Sequence, residues 1–169
     1  MGCDPGVKGA ICLLKPSTNA VLWYSTPSTA ADLAALITQL NVWRTDRDLA
    51  RIGLEDVHSL FGMSAKSNFQ FGRQLGRLEV LLESFKKPPV TYITPKEWQK
   101  AVGIFFPKGS TGKQRKLISF QKAVELYPRQ KENFRGPRGG LLDGRIDSLL
   151  IAHVMAGEYD VLIQTGLYA

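Results

Sequence analysis

Four carboxylates stand where apolar elements should begin or end. Asp4 breaks the run "MGCDPGVKGAICLL", Glu55 closes "RIGLE", and Asp143 and Asp147 open "DGRIDSLLIAHVMAG". Strand alternation puts Gly53, Glu55 and Val57 on one face and Leu54 and Asp56 on the other, so Glu55 and Asp56 do not easily serve one site. Asp143 and Asp147, four apart, share a helix face, where like charges cost about 0.2–0.5 kcal/mol. Gathered in space, the carboxylates would repel more strongly unless a cation lay between them. Oxygen donors without a Cys or His cluster suit Mg²⁺ or Mn²⁺ rather than zinc. Two such ions, about 3.5–4 Å apart, stabilise the attacking and leaving oxygens of a phosphodiester displacement.

Each acid also has an ordinary role open to it. Asp4 can begin a turn with Pro5-Gly6, Glu55 can pair with a surface lysine, and Asp143 can cap a helix. Asp147 resists such a reading, because it lies at the root of the apolar helix "SLLIAHVMA", where an unpaired carboxylate is expensive. His58, in "EDVH", stands without the partners that a zinc site needs.

The elements that must hold these residues can be traced along the chain. "VKGAICLLK" and "AVLWYST" read as strands joined by "PSTN", and with the short run before Asp4 they make three antiparallel strands. A helix follows from "PSTAADLAALITQLNVW", with Ser28 or Thr29 as its N-cap. "LARIGLEDVHS" is a strand, and "MSAKSNFQFGRQLGRLEVLLESF" a long helix with Phe71, Leu75, Leu78, Leu82 and Phe85 at helical spacing. "PVTYIT" is the fifth strand. Thr94-Pro95 starts a short helix, "FFPKGSTGK" is a loop, and "KQRKLISFQKAVELYP" is helical. "RQKENFRGPRGG" reads as a loop, and the last helix closes on Gly157. This order predicts an α/β mixed sheet flanked by helices, with residues 1–169 forming a single domain.

Charge is distributed unevenly. The net charge is +7, yet residues 86–145 hold 14 of the 22 Lys/Arg and only 4 of the 15 Asp/Glu. Such a basic region attracts a polyanion, nucleic acid above all. No stretch is apolar enough for a membrane span. Cys3 and Cys12 read as buried thiols of a reducing compartment, which predicts a cytoplasmic protein; the small size, without further domains, fits a bacterial or bacteriophage source.

Together these residues resemble the RuvC-type Holliday junction resolvases of the RNase H-like (retroviral integrase) superfamily. "CDPGVKGA" matches that family's first strand, "IGLEDV" its fourth, and "DSLLIA" the start of its last helix, over most of the chain. The resemblance implies an RNase H-like fold with a five-stranded sheet. It implies metal-ligand roles for Asp4, Glu55 and Asp147, two Mg²⁺ per site with Mn²⁺ able to substitute, and 5′-phosphate products. The family's fourth acid falls three residues before Asp147, where this chain has Gly144; Asp143, one residue earlier, shares the helix face and is taken as the counterpart. A lysine from the segment before the last helix is also implied, and Lys113 and Lys116 both fit.

A four-way junction is two-fold symmetric, so a resolvase works as a homodimer. "FGRQLGRLE" looks like the family's dimer helix. Gly72 and Gly76 share one of its faces and would admit a close partner helix, or else packing against the chain's own sheet. Phe61, in the loop after Glu55, is the candidate wedge between bases, core packing being the alternative. Lys108, Arg115, Arg129, Lys131, Arg135 and Arg138 are candidate phosphate contacts. The expected activity is paired, symmetrical nicking of four-way or branched DNA. Two alternatives stand beside it: a broader flap, branch or RNA–DNA hybrid nuclease, and a junction-binding architectural protein that does not cut. Actin-like ATPases and sugar kinases also open on an acidic strand, but they need a second glycine-rich phosphate loop that this sequence lacks.

Overall fold

The computed structural model describes residues 1–45, 49, 51–57, 64–85 and 88–157, with the backbone alone for 41–45. Strands β1 (Gly2–Cys3), β2 (Ala10–Lys15), β3 (Ala20–Ser25), β4 (Ile52–Glu55) and β5 (Val90–Ile93) form one sheet in the order β3-β2-β1-β4-β5. β1 and β2 pair antiparallel, as do β2 and β3, whereas β1–β4 and β4–β5 are parallel. This is the mixed, RNase H-like sheet that the resemblance implies.

Helices α1 (Ala30–Thr45) and α2 (Ala65–Glu83) are cross-connections whose buried side chains share one cluster. That cluster joins Cys3, Ile11, Ile52 and Leu54 of the strands to Leu36, Leu40, Leu78, Leu81 and Leu82. The second cluster holds Cys12, Ile93, Trp98, Phe120, Phe134, Ile146 and Leu149. It brings in α3 (Pro95–Ala101), α4 (Gly112–Leu126) and α5 (Asp143–Gly157). Cys3 and Cys12 are free and buried in different clusters, and burial pushes the Cys3 thiol up to about 12.

Local chemistry sets the helix starts. Thr29 caps α1: its hydroxyl accepts from Asp32 N–H, and the Asp32 carboxylate accepts from Thr29 N–H. Thr94 and Thr111 head capping boxes with Glu97 and Gln114, and Pro95 occupies the first turn of α3. Two expectations need correction. The strand expected from Val7 begins at Ala10, because residues 6–9 form a tight turn closed by Gly9 N–H to Gly6 O, 2.7 Å. The loop expected at 129–140 instead starts within a 3₁₀ helix over Pro128–Phe134. Burial of Phe134 edge-on to Trp23 and Phe120 holds that segment down. The rest of it is tied by Leu142 N–H to Phe134 O and Gly136 N–H to Gly140 O, each 2.8 Å. No helix among the described residues is long and apolar enough to cross a membrane.

Candidate active site

Helix α5 lies unusually close to the middle of the sheet, and glycine is the reason. A Cβ on Gly2 would come within 2.2 Å of Ser148 O and 2.3 Å of Ala152 N; one on Gly53 would meet Met155 Cγ at 2.7 Å. Hydrogen in place of Cβ lets the helix backbone settle directly on β1 and leaves room on β4 for the Met155 and Ile151 side chains. The start of α5 is seated in the same way. Gly9 bridges to Gly144, and a Cβ on Gly144 would lie 2.3 Å from Lys8 O. Asp147 is thereby carried to the ends of β1 and β4, where Asp4 and Glu55 emerge.

Asp4 does what a turn aspartate does: its Oδ1 accepts from Gly6 N–H at 2.8 Å, and its own N–H donates to Ala10 O at 3.0 Å. The turn and the site are thus one structure. Burial raises the Asp4 carboxyl, the Gly6 N–H opposes this, and Asp143 adds to it. Glu55 shares the α5 face of β4 with Gly53, as alternation requires, and its Oε1 accepts from Trp98 Nε1 at 2.9 Å. Burial, then the Asp4 charge, push Glu55 up to about 7 against the pull of that N–H. Asp147 is raised well above the carboxylate range by burial and then by Asp4, Glu55 and Asp143, with Lys116 opposing. The four acids therefore act on one another across three elements.

Asp143 occupies the first turn of α5 but does not cap it; Leu142 O takes the first helical N–H bonds, from Arg145 and Ile146. One carboxylate oxygen of Asp143 pairs with Lys116 Nζ, and the other is buried with no hydrogen-bond partner. Lys116 is therefore the lysine brought to the acids, while Lys113 is exposed earlier on α4. Among the described residues, no three His, Cys, Asp or Glu side chains already stand in a geometry that could hold a metal ion. The donor set nevertheless fits a hard divalent cation: all ligand atoms are carboxylate oxygens, one is buried and unpaired, and the charge excess is negative.

Trp98 is a site residue that the sequence reading missed. A tryptophan in the first turn after a strand, bound to bury its ring and needing an acceptor for its N–H, was the available signal. The remaining candidates spread over the surface. Lys108, Arg115, Arg129, Lys131 and Arg138 are exposed. The Arg115 guanidinium lies 5.5 Å from the Phe106 ring centroid. Arg135 is partly committed within the chain, over Phe120 at 5.0 Å and donating to Gly139 O at 3.1 Å. Phe61 and His58 lie outside the described residues.

On α2, Ser64 caps the start and Gln74, Leu78, Leu81 and Leu82 face the core. Among the described residues, a Cβ on Gly72 or Gly76 would meet nothing within 4 Å, so packing against the described part of the sheet does not explain these glycines. They share a stripe with Phe69, 66% exposed, and Val80, 54% exposed.

No protein-family model and no curated protein matches the sequence. Solved structures do match in fold. T. thermophilus RuvC in complex with Holliday junction substrate superposes with a TM-score of 0.58 at 17% identity, over 98% of this chain and 94% of that one. A second Thermus thermophilus RuvC structure gives 0.52 at 16% identity, over 98% and 95%. The chain thus has the RNase H-like α/β fold, and its architecture is similar to that of RuvC along its whole length.

Proposed function

We propose that the protein is a metal-dependent endonuclease that resolves four-way or branched DNA by paired nicks, acting as a homodimer of single nuclease domains. The observation that carries this reading is the set of carboxylates Asp4, Glu55, Asp143 and Asp147, coupled across three elements of a RuvC-like fold beside a basic surface.

Asp4, Glu55 and Asp147 would hold two Mg²⁺, or Mn²⁺ in substitution, with Asp143 assisting. When bound, such ions supply Lewis acidity to the attacked phosphodiester and lower the pKa of an attacking water. The chain does the rest. Trp98 fixes the Glu55 carboxylate by its Oε1, and the Gly6 N–H fixes Asp4 by its Oδ1. Lys116 holds Asp143 and offsets negative charge as phosphate approaches. Lys108, Arg115, Arg129, Lys131, Arg135 and Arg138 hold the DNA backbone without reading sequence. Gly72 and Gly76 admit the partner's helix, so that two sites face two strands.

The test is cleavage of a labelled, immobile four-way junction against linear duplex, in Mg²⁺ and in EDTA, by wild type and Asp147→Asn. Paired, metal-dependent nicks confined to the junction and lost in the variant are expected. Tight junction binding without nicks would mean an architectural protein. Equal cutting of duplex or hybrid would mean a nuclease without junction selectivity.

A further inference from the structure

We propose that Phe105 is a base-stacking contact, an aromatic ring displayed on the loop between two residues that touch the acidic cluster, to receive an unpaired nucleobase. The inference rests on the nuclease reading and adds a second point at which branched DNA is told from duplex. Phe105 is 73% exposed, the most exposed of the large hydrophobic side chains among the described residues. A lone exposed apolar side chain is ordinary; this one differs in how it is held and in what surrounds it.

Both neighbours are pinned. Ile104 is buried in the core, and Phe106 packs partly against the same cluster under the Arg115 guanidinium. Upstream, α3 ends in a Schellman motif. Ile104 N–H donates to Gln99 O at 2.7 Å and Gly103 N–H to Lys100 O at 3.0 Å, with Gly103 at φ +74°. Downstream, Ser110 N–H and Oγ both bond Pro107 O, at 3.0 and 2.5 Å. Gly109 turns at φ +82°, and Thr111 begins the capping box of α4. Buried side chains and backbone bonds on either side thus set the path of the chain, and that path leaves the ring in solvent.

The loop's two flanks both touch the acidic cluster, Trp98 through Glu55 and Lys116 through Asp143. From Trp98 to Ala101, where α3 ends, the helix rises only about 4.5 Å, and Phe105 follows four residues later, on the stretch of chain that joins these two flanks. The segment that carries it is cationic: Lys96, Lys100, Lys108, Lys113, Arg115 and Lys116 lie between 95 and 116 in the chain, against Glu97 alone. Glu97 is engaged in capping Thr94. Charge complementarity selects a polyanion as the occupant. An aromatic face among phosphate-binding cations is how single-stranded nucleic acid is held, with its backbone on the cations and a base on the ring. Continuous duplex keeps its base faces stacked inside, so the contact favours branch points, gaps and flaps.

The test measures binding in EDTA to a four-way junction, a single-stranded oligonucleotide and a linear duplex, by wild type, Phe105→Ala and Phe105→Trp. Stacking on one aromatic ring is worth about 1–3 kcal/mol, so Phe105→Ala should weaken junction and single-strand binding about 5- to 150-fold, with duplex within about twofold. Phe105→Trp should restore binding. A 2-aminopurine placed at the branch should be quenched by wild type and Phe105→Trp but not by Phe105→Ala. Unchanged binding in Phe105→Ala, or parallel loss on all three DNAs, overturns the inference. If wild type cuts junctions and Phe105→Ala behaves identically, this inference falls and the nuclease reading stands. If Phe105 governs single-strand binding while wild type cuts nothing, the reverse holds.

Discussion

Replacing Glu55 by glutamine should stabilise the folded protein while removing a charge on which the proposed chemistry depends. Glu55 is 8% exposed, and burial followed by the Asp4 charge raises it to about 7, from 4.5 in an unperturbed chain. A folded-state pKa above the unfolded one means that, between those values, the folded protein keeps a proton that the unfolded chain has released. As far as this group is concerned, stability is greatest below pH 4.5, falls as pH rises through the window, and levels off above 7. The rise of roughly 2.5 units corresponds to about 3 kcal/mol at 1.36 kcal/mol per unit. Glutamine can still accept the Trp98 N–H, but its amide nitrogen needs a partner of its own, so the net gain should be nearer about 2 kcal/mol. That corresponds to a melting temperature about 4–8 °C higher at pH 8 for a chain of this size, and no gain at pH 4. Thermal melts of both proteins in EDTA at pH 4, 6 and 8 measure it. Saturating Mg²⁺ should then raise the wild type more than the variant, since only the former regains a neutralised carboxylate. A variant that melts at or below wild type at pH 8, or by the same difference at pH 4 and pH 8, would refute the account of Glu55 as a destabilising carboxylate.

Lys116→Met, which removes the cation paired with Asp143, should lower the nicking rate about 100-fold or more, as loss of an electrostatic stabiliser does elsewhere. Lys113→Met should change it little; single-turnover assays on the junction compare the two. Gly76→Arg should leave the melting temperature of the chain nearly unchanged, because no described residue stands within 4 Å of the new Cβ. It should nevertheless halve the mass in sedimentation equilibrium and replace paired nicks with single ones.

The fold was readable because its elements announce themselves by period and cap. The alternation of "GLE" assigned Glu55 and Gly53 to one face, and Met155 and Ile151 of α5 are what that face meets. Thr94 with Pro95 marked the start of α3, whereas Thr111, which caps α4, was read as part of the preceding loop. The sheet order rested on the resemblance, since β1 is only Gly2–Cys3, too short for any period. Contacts between distant segments were not readable. Lys113 and Lys116 both suited the role, and only the packing of α4 against α5 turns Lys116 toward Asp143. The Gly/Pro-rich stretch after Tyr127 looked like open loop, and a single residue, Phe134, buried between Trp23 and Phe120, is what orders it. Where α5 fails to place an acid at position 144, the cause is steric. The Lys8–Gly9 backbone occupies the space a side chain would need, so the carboxylate stands one residue earlier and reaches the cluster from the first turn.

The acids themselves do nothing to bring the site together; they oppose it. Asp4, Glu55 and Asp147 each carry a raised pKa, and each is raised in part by another acid of the set. What overcomes that repulsion is the apolar side of α5, where Leu149, Leu150 and Ile151 are fully buried, together with the glycines that let its backbone reach the sheet. A fully buried side chain of this kind contributes about 1.5–3 kcal/mol, so a few of them offset a penalty of the size assigned to Glu55. Gly2 sets the depth of that contact, because a Cβ there would run into the α5 backbone and force the helix outward. Lifting α5 would carry Asp143 and Asp147 away while leaving Asp4 and Glu55 on the strands. Apolar packing of one helix thus supplies the free energy that holds like charges together. A cluster so held gains most from a ligand that neutralises it, and a divalent cation bridged to a phosphate is such a ligand.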